Sequence, residues 1–448
     1  MLNISQAEAR AADLIELATK AGADSADVLY AANASTSIQV RLGELEDVER
    51  SEGEEIGLRF FIGTQSASVS SSDLSPEAMR NLVERAAAMA REAPEDSSAG
   101  LAPEEMLLRE PGPDVQGDDG QDPLPTELKA RALAVEEAAR AVTGISNSEG
   151  AGVSAGRSII ALATSHGFCR GYSTSGYSAS VAVIAGSGSA MQRDYASHSA
   201  RHYMDLDNSE DIGTLAGERT IARLSPVRVP SGPMPIIFDP RVGSSLLGHF
   251  LGAINGAAIA RKTSFLLGRE DELIFAEGVT IRDDPHRVRG LASKPFDGEG
   301  LPTRPRNLVS KGRLTGWLLD SASARQLGLQ PTGHATRGIG GSPGASATNV
   351  DLAPGMISKD ELIGDVAKGI YVTELIGHGI NPVTGDYSRG AGGFLIENGK
   401  ITAPVSEITI AGNLIEMFRH LTPADDLKLR RSMNVPTLRI DGMTVAGA

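Results

Sequence analysis

His249 stands alone in the run LLGHFLGAINGAA, residues 246–258, among small and apolar neighbours. At about 100° per residue, Leu247, Phe250, Leu251, Ile254 and Ala258 form one apolar stripe, and His249 falls opposite it with Ser245, Gly252 and Gly256. A zinc-hydrolase helix needs two imidazoles on one face and a nearby carboxylate to activate water. This run offers one imidazole. The next downstream acids, Glu270 and Asp271, lie past the expected helix. Two readings follow: a helix packed closely on a sheet with His249 hydrogen-bonded, or a catalytic helix emptied of its ligands.

The remaining chemistry-bearing residues are scattered. His198 and His202 are four apart in ASHSARHY, but the alternating GYSASVAV upstream favours a strand leading into a turn over a metal-binding helix. His334 in PTGHATRG and His378 in LIGHGINP are single, loop-like positions. Asp283, Asp284, Asp297 and Glu299 cluster near glycines, as oxygen ligands of a hard cation would. Arg282, Arg287, Arg289 and Lys294 share that stretch, so self-neutralising pairs are the simpler reading. GGSPGASATNV and TGDYSRGAGG are rich in glycine and serine but lack phosphate-loop spacing; they read as flexible loops, or as exposed backbone to which a peptide adds as a strand. No GxSxG elbow occurs, and no Cys–His pair has local support.

The elements that must position these residues fall into two halves. Ala7, Ala11, Leu14, Ile15 and Ala18 predict a helix over 5–21, and residues 26–73 read as short strands joined by turns. Ser75-Pro76-Glu77 opens a helix to about residue 91, with serine as N-cap and proline at the first helical position. Residues 93–125, rich in Pro, Gly and acids, form a long surface connection. A helix over 126–142 and another β-rich run follow. The expected organisation is an α+β domain at 1–228, built of sub-segments 1–92 and 126–228. The Pro-rich LSPVRVPSGPMP, residues 224–235, is the boundary to a mostly β domain with a few inserted helices at 229–448. In that second half residues 244–262 read as one helix. Asn398-Gly399 marks a hairpin, because a type I′ turn needs positive φ at both central residues.

Composition narrows the classes. The 448 residues are 41% hydrophobic and 22% charged, ordinary for a globular protein, with only 4% aromatics against 51 glycines, so small residues do much of the close packing. No apolar run is long enough to span a bilayer, and the first residues show no secretory pattern. One cysteine, Cys169, excludes an internal disulfide and fits the cytoplasm. Residues 1–228 hold 19 basic against 35 acidic residues, and 229–448 hold 23 against 22. The acidic half repels phosphate backbones, so neither direct nucleic-acid contact nor membrane insertion is expected.

Taken together, LLGHFLGAINGAAIARKTSFLLGRE, DDPHRVRGLASKPFDGEG, PTGHATRG, SATNVDLAPG and GHGINPVTGDYSRGAGGFLIENGKITAPVSEITIAGNLIEM, in that order, resemble the TldD/PmbA family of modulator peptidases. SNSEG, SHGFCRGYSTSGYSASVAV and AMQRDY resemble its middle region, so the resemblance spans nearly the whole chain. In that family one branch carries HExxxH on the helix after the domain boundary and a late cysteine ligand; the PmbA (TldE) branch lacks them. The resemblance places Gly248 at the first histidine, His249 at the catalytic glutamate and Ala253 at the second histidine, with Gly252 at the shared glycine; no cysteine follows Cys169. It implies an α+β N-terminal domain and a β-rich C-terminal domain. It also implies a chain without catalytic or metal residues of its own, paired with a zinc-bearing TldD-type partner to process unfolded or flexible peptides. His249, Gly252, Gly256, His378, Asn381, Gly385 and Asp386 are then candidates for substrate or interface contact, and a homodimer stays open for the chain alone. Two alternatives stay open. One is a metallopeptidase active by itself through a site built from His249, His378 and an acid. The other is a stand-alone peptide-binding adaptor. The family's association with DNA gyrase modulation is read as an indirect effect of proteolysis.

Overall fold

The computed structural model describes residues 1–447, which form an α+β fold. The N-terminal half is one antiparallel six-stranded sheet. Its strands are β1 (Ser25–Arg41), β2 (Glu44–Ile62), β3 (Gln65–Ser71), β4 (Ile145–Thr164), β5 (Cys169–Ala185) and β6 (Gln192–Ala200), in the order β3-β2-β1-β4-β5-β6. Sub-segments 1–92 and 126–228 therefore share a single sheet, joined where Asp27 of β1 faces Thr164 of β4. The strands are far longer than the short stretches expected from the sequence.

That length lets the central strands β1 and β4 back two helix pairs on one face. Val28, Tyr30 and Ala32 of β1 pack under α1 (Ile4–Lys20) and α2 (Pro76–Glu92), while Ile38 and Val40 pack under α3 (Pro125–Ala141) and α4 (Ser209–Ala222). All five are even-numbered, as the two-residue period of a strand requires. The cap at Ser75 is present: its side chain accepts the Ala78 N–H. Helix α4 was not legible in the sequence, and its packing says why. A Cβ on Gly213 would lie 2.4 Å from the Val135 carbonyl oxygen, and one on Gly217 would lie 2.5 Å from the Val142 side chain. Its buried face is Ile212, Gly213, Ala216, Gly217 and Thr220, mostly small residues, so it shows no broad apolar stripe.

The second half opens with β7 (Gly232–Phe238), so part of the Pro-rich boundary peptide is itself a strand. Helices α5 (Pro240–Ala253) and α6 (Gly256–Ala260) follow, then strands β8 (Ile281–Asp283), β9 (Arg306–Ser310) and β10 (Arg313–Leu314), and helix α7 (Ser321–Leu327). Next come β11 (Ala335–Thr336), β12 (Gly344–Ala345), β13 (Val350–Leu352), helix α8 (Lys359–Gly364), and the long strands β14 (Lys368–Ile376), β15 (Asp386–Glu397) and β16 (Lys400–Asn413). Helix α9 (Leu414–Arg419) and strands β17 (Leu421–Pro423), β18 (Met433–Asn434) and β19 (Leu438–Ala446) complete it. The main sheet runs β16-β15-β14-β7-β19-β17, and a further pairing of β16 with β19 closes five strands into a ring. Asn398 and Gly399, at φ 50° and 74°, make the β15–β16 turn expected of that dipeptide.

The two halves meet on the sheet face away from the helices. Leu29, Leu162 and Phe168 of the first half pack with Leu107 of the 93–125 connection and with Phe296 and Leu301 of the second. The backbone of Ile339 lies so close to β2 that a Cβ on Gly57 would sit 1.7 Å from its carbonyl oxygen. Across the seam, buried Asp27 is held by both Arg59 and Arg337, and these guanidiniums hold its carboxyl below the usual range against the effect of burial. Among the described residues no helix is long and apolar enough to cross a membrane.

Candidate functional site around helix α5

Helix α5 starts where Asp239, as N-cap, accepts the Arg241 N–H at 2.9 Å, with Pro240 at the first helical position. Leu246, Leu247 and Phe250 bury one face; Phe250 meets Phe275 edge-on at 5.4 Å. The single helix expected over 244–262 is broken. Asn255 turns its side chain to accept the Ala257 N–H at 3.1 Å and starts α6, while Gly256 N–H donates to the Leu318 carbonyl at 2.8 Å. A local cap and a cross-chain bond together outcompete helix continuation.

The candidate positions do not behave alike. Gly256 is buried, and a Cβ there would meet Ser323 Oγ at 2.5 Å and Leu319 Cδ2 at 2.6 Å. Gly248 and Gly252 have nothing within 4 Å of a built Cβ, and Gly252 is exposed. The small-residue face is thus closely packed only beyond the break; along α5 it is open. Ala253 is buried, its carbonyl accepting the Ser264 hydroxyl at 2.6 Å.

His249 is half-buried with its ring edge-on to Tyr387, centroids 6.2 Å apart, and its Nε2 is buried without a partner, contrary to the hydrogen-bonded reading. Burial, then the nearby Arg389 guanidinium, then His378 push the imidazole down to about 4, so it is neutral at neutral pH. His378 is exposed in the β14–β15 connection. Asn381, Gly385 and Asp386 hold that connection in shape: Asn381 Oδ1 accepts the Val383 N–H at 3.0 Å, Gly385 N–H donates to the Asn381 carbonyl at 2.8 Å, and Asp386 accepts the Thr384 hydroxyl at 2.7 Å.

These residues do not fit a zinc ion held in the HExxxH manner. Gly248 has no donor atom, Ala253 presents a methyl group, and among the described residues no group of three or more His, Cys, Asp and Glu gathers as a metal site. The acid-rich stretch is not a cation site either. Buried Asp283 accepts from His334 Nε2 at 3.0 Å and from the Thr348 backbone and hydroxyl. Asp297 accepts three backbone N–H groups, from Glu299, Leu301 and Ala335. Glu299 takes the Ser321 N–H and hydroxyl; burial, then the neighbouring Asp297, push its carboxyl up to about 7. The expected self-pairing is largely replaced by such bonds, with Arg287 reaching Asp351 and Arg289 reaching Asp205. His198 lies on strand β6, as its surroundings suggested, and its Nδ1 accepts the Asp207 N–H.

Sequence reasoning missed Thr373, Tyr387 and Arg389. TGDYSRGAGG is the start of β15, not a loop, and Tyr387 and Arg389 share one face of it two residues apart. Thr373 Oγ1, Tyr387 OH and Arg389 Nε are, like His249 Nε2, buried and without partners. The one signal available was the Tyr-x-Arg alternation.

Residues 231–447, 118–224 and 26–90 match the C-terminal, central and first domains of the PmbA/TldA metallopeptidases. The chain belongs to this PmbA/TldD metallopeptidase family. It is 38% identical over 452 aligned residues to the metalloprotease PmbA of Escherichia coli O157:H7, covering 99% of this chain and 98% of that protein. A crystal structure of a candidate modulator of DNA gyrase from Bacteroides thetaiotaomicron superposes with TM-score 0.91 at 29% identity, covering all of both chains. TldE from Thermococcus kodakarensis shares the fold, with TM-score 0.87 at 22% identity over 98% of this chain and all of that one.

Proposed function

We propose that this chain is the non-catalytic, PmbA/TldE-type subunit of a heterodimeric metallopeptidase that degrades or processes unfolded or flexible peptides. One observation carries the reading. By the resemblance, Gly248, His249 and Ala253 stand for the family's zinc ligand, base and zinc ligand, and no cysteine follows Cys169. Zinc without imidazole pairs loses most of its binding free energy, and a lone neutral imidazole has no activated water to serve. In this reading zinc resides in a TldD-type HExxxH partner, and this chain supplies interface and substrate-channel wall from its Gly-rich second half. The acidic first half fits a cytoplasmic protein that affects gyrase through proteolysis, without touching DNA.

The test is hydrolysis of an unfolded polypeptide by this chain alone and after mixing with an HExxxH-bearing partner, with zinc measured in each sample. Hydrolysis only in the mixture, and no stoichiometric zinc in this chain, is the expected result. His378 lies near enough to lower the His249 pKa, which keeps a second reading alive: a site of its own from His249, His378 and an acid. One tightly held zinc per chain together with hydrolysis by the chain alone would establish that reading instead.

A further inference from the structure

A cleft of about 290 Å³ opens where β6, α5, β14 and β15 converge, lined by Asp194, Arg241, Ser245, Thr373, Glu374 and Arg389 among others. Its acids are occupied. Asp194 accepts both arms of Arg241 at 2.7 and 3.0 Å and lies 3.5 Å from Arg223, which also pairs with Glu374. Arg389 is different. Among the described residues no carboxylate pairs with it, and its Nε is buried with no acceptor. Thr373 Oγ1, on the neighbouring strand, is equally unpartnered. Tyr387, two residues before Arg389 on the same strand face, has its hydroxyl beside the guanidinium, and His249 presents another unpartnered atom nearby.

Buried polar atoms without partners are costly, and folded proteins hold few of them. Arg389 Nε and Thr373 Oγ1, both lining this cleft, are donors able to receive a ligand. The donors define that ligand. A guanidinium fork matches the two oxygens of a carboxylate, hydroxyls donate to the same oxygens, and one unpaired cation balances one negative charge. Asp194 and Glu374 close by penalise a dianion such as phosphate.

We propose that this cleft is a carboxylate-binding site in which Arg389 and Thr373 hold the terminal carboxylate of a peptide. The anion site follows from the donors alone; the choice of a peptide as its carrier rests on the peptidase reading above. The site sits beside the emptied α5 positions, so this chain grips a peptide end where its catalytic relatives cut.

The test uses the full chain without a partner. Isothermal titration compares N-acetyl-trialanine bearing a free C terminus, the same peptide with a C-terminal amide, acetate, and inorganic phosphate. The free acid should bind at least tenfold more tightly than the amide. Arg389→Gln should lose at least tenfold, Thr373→Val severalfold, and Arg50→Gln, an exposed control on β2 paired with Glu52, nothing. Neither cleft variant should lower the thermal midpoint of the empty chain, because each deletes a buried group that has no partner; a merely structural role predicts the opposite. Equal binding of acid and amide, unchanged binding by both folded cleft variants, or tight phosphate binding without peptide binding overturns the proposal. Acetate as tight as the tripeptide overturns the peptide carrier alone. Hydrolysis of the peptide during titration would refute the non-catalytic reading and leave the site standing.

Discussion

Two polar regions of the C-terminal half looked alike in sequence, each a histidine with acids, arginines and glycines around it. One, Asp283–His334 with Asp297 and Glu299, is closed: nearly every polar atom has its partner. The other, around α5 and β15, is buried and unsatisfied. The difference separates structure from function without reference to residue type. A satisfied buried network rigidifies a fold, whereas an unsatisfied one stores binding capacity at the expense of stability.

The comparison breaks hardest at Asp283. Asp283→Ala strands His334 Nε2 and the Thr348 N–H and hydroxyl, and should destabilise the C-terminal half by about 3 kcal/mol or more in chemical denaturation, since each buried donor left without a partner costs roughly 1–3 kcal/mol. A cost within that of a surface substitution would mean the closed region is not closed.

The pH response should differ in sign between the regions. Glu299 titrates near 7 when folded, above its unfolded value, so its stabilisation is complete below about pH 4.3 and is lost as pH rises through 7. His249 titrates near 4 when folded, below its unfolded value of about 6.5, so its part of stability is lost as pH falls from 6.5 toward 4. Thermal midpoints of Glu299→Gln and His249→Phe against pH, each compared with the parent, should diverge in opposite directions across pH 4.5–7. Parallel curves would collapse the distinction.

The smallest effect concerns two glycines. Gly256→Val meets Ser323 and Leu319 and should cost about 1–3 kcal/mol. Gly252→Ala enters open space inside a helix and should stabilise by up to about 1 kcal/mol. Equal thermal shifts for the two would show that the α5 face is covered in solution.

Local features were legible in the sequence because local chemistry makes them. Ser75-Pro76 capped its helix, and Asn398-Gly399 turned its hairpin. That Gly248 and Ala253 offer no side-chain donor was also plain, since residue type alone decides whether a ligand atom exists. Features set by distant partners were not. The α5–α6 break depends on the Leu318 backbone. The full length of β1 depends on β4, and α4 hid because its neighbours approach too closely for large side chains. Arg389 escaped notice for the same reason: lacking a partner is a property of everything around a residue.

Strand β1 supports both helix pairs and joins the two sub-segments of its sheet, and this has a consequence for synthesis. Its partner on one side, β2, follows immediately; its partner on the other, β4, begins at Ile145. At roughly 5–20 residues per second, about 100 residues of delay leave that edge of β1 unpaired on the ribosome for on the order of 5–20 s. An open strand edge is a template for pairing with another chain. The nascent protein therefore passes through an interval in which its aggregation risk is highest, and the 93–125 connection accounts for about a third of it.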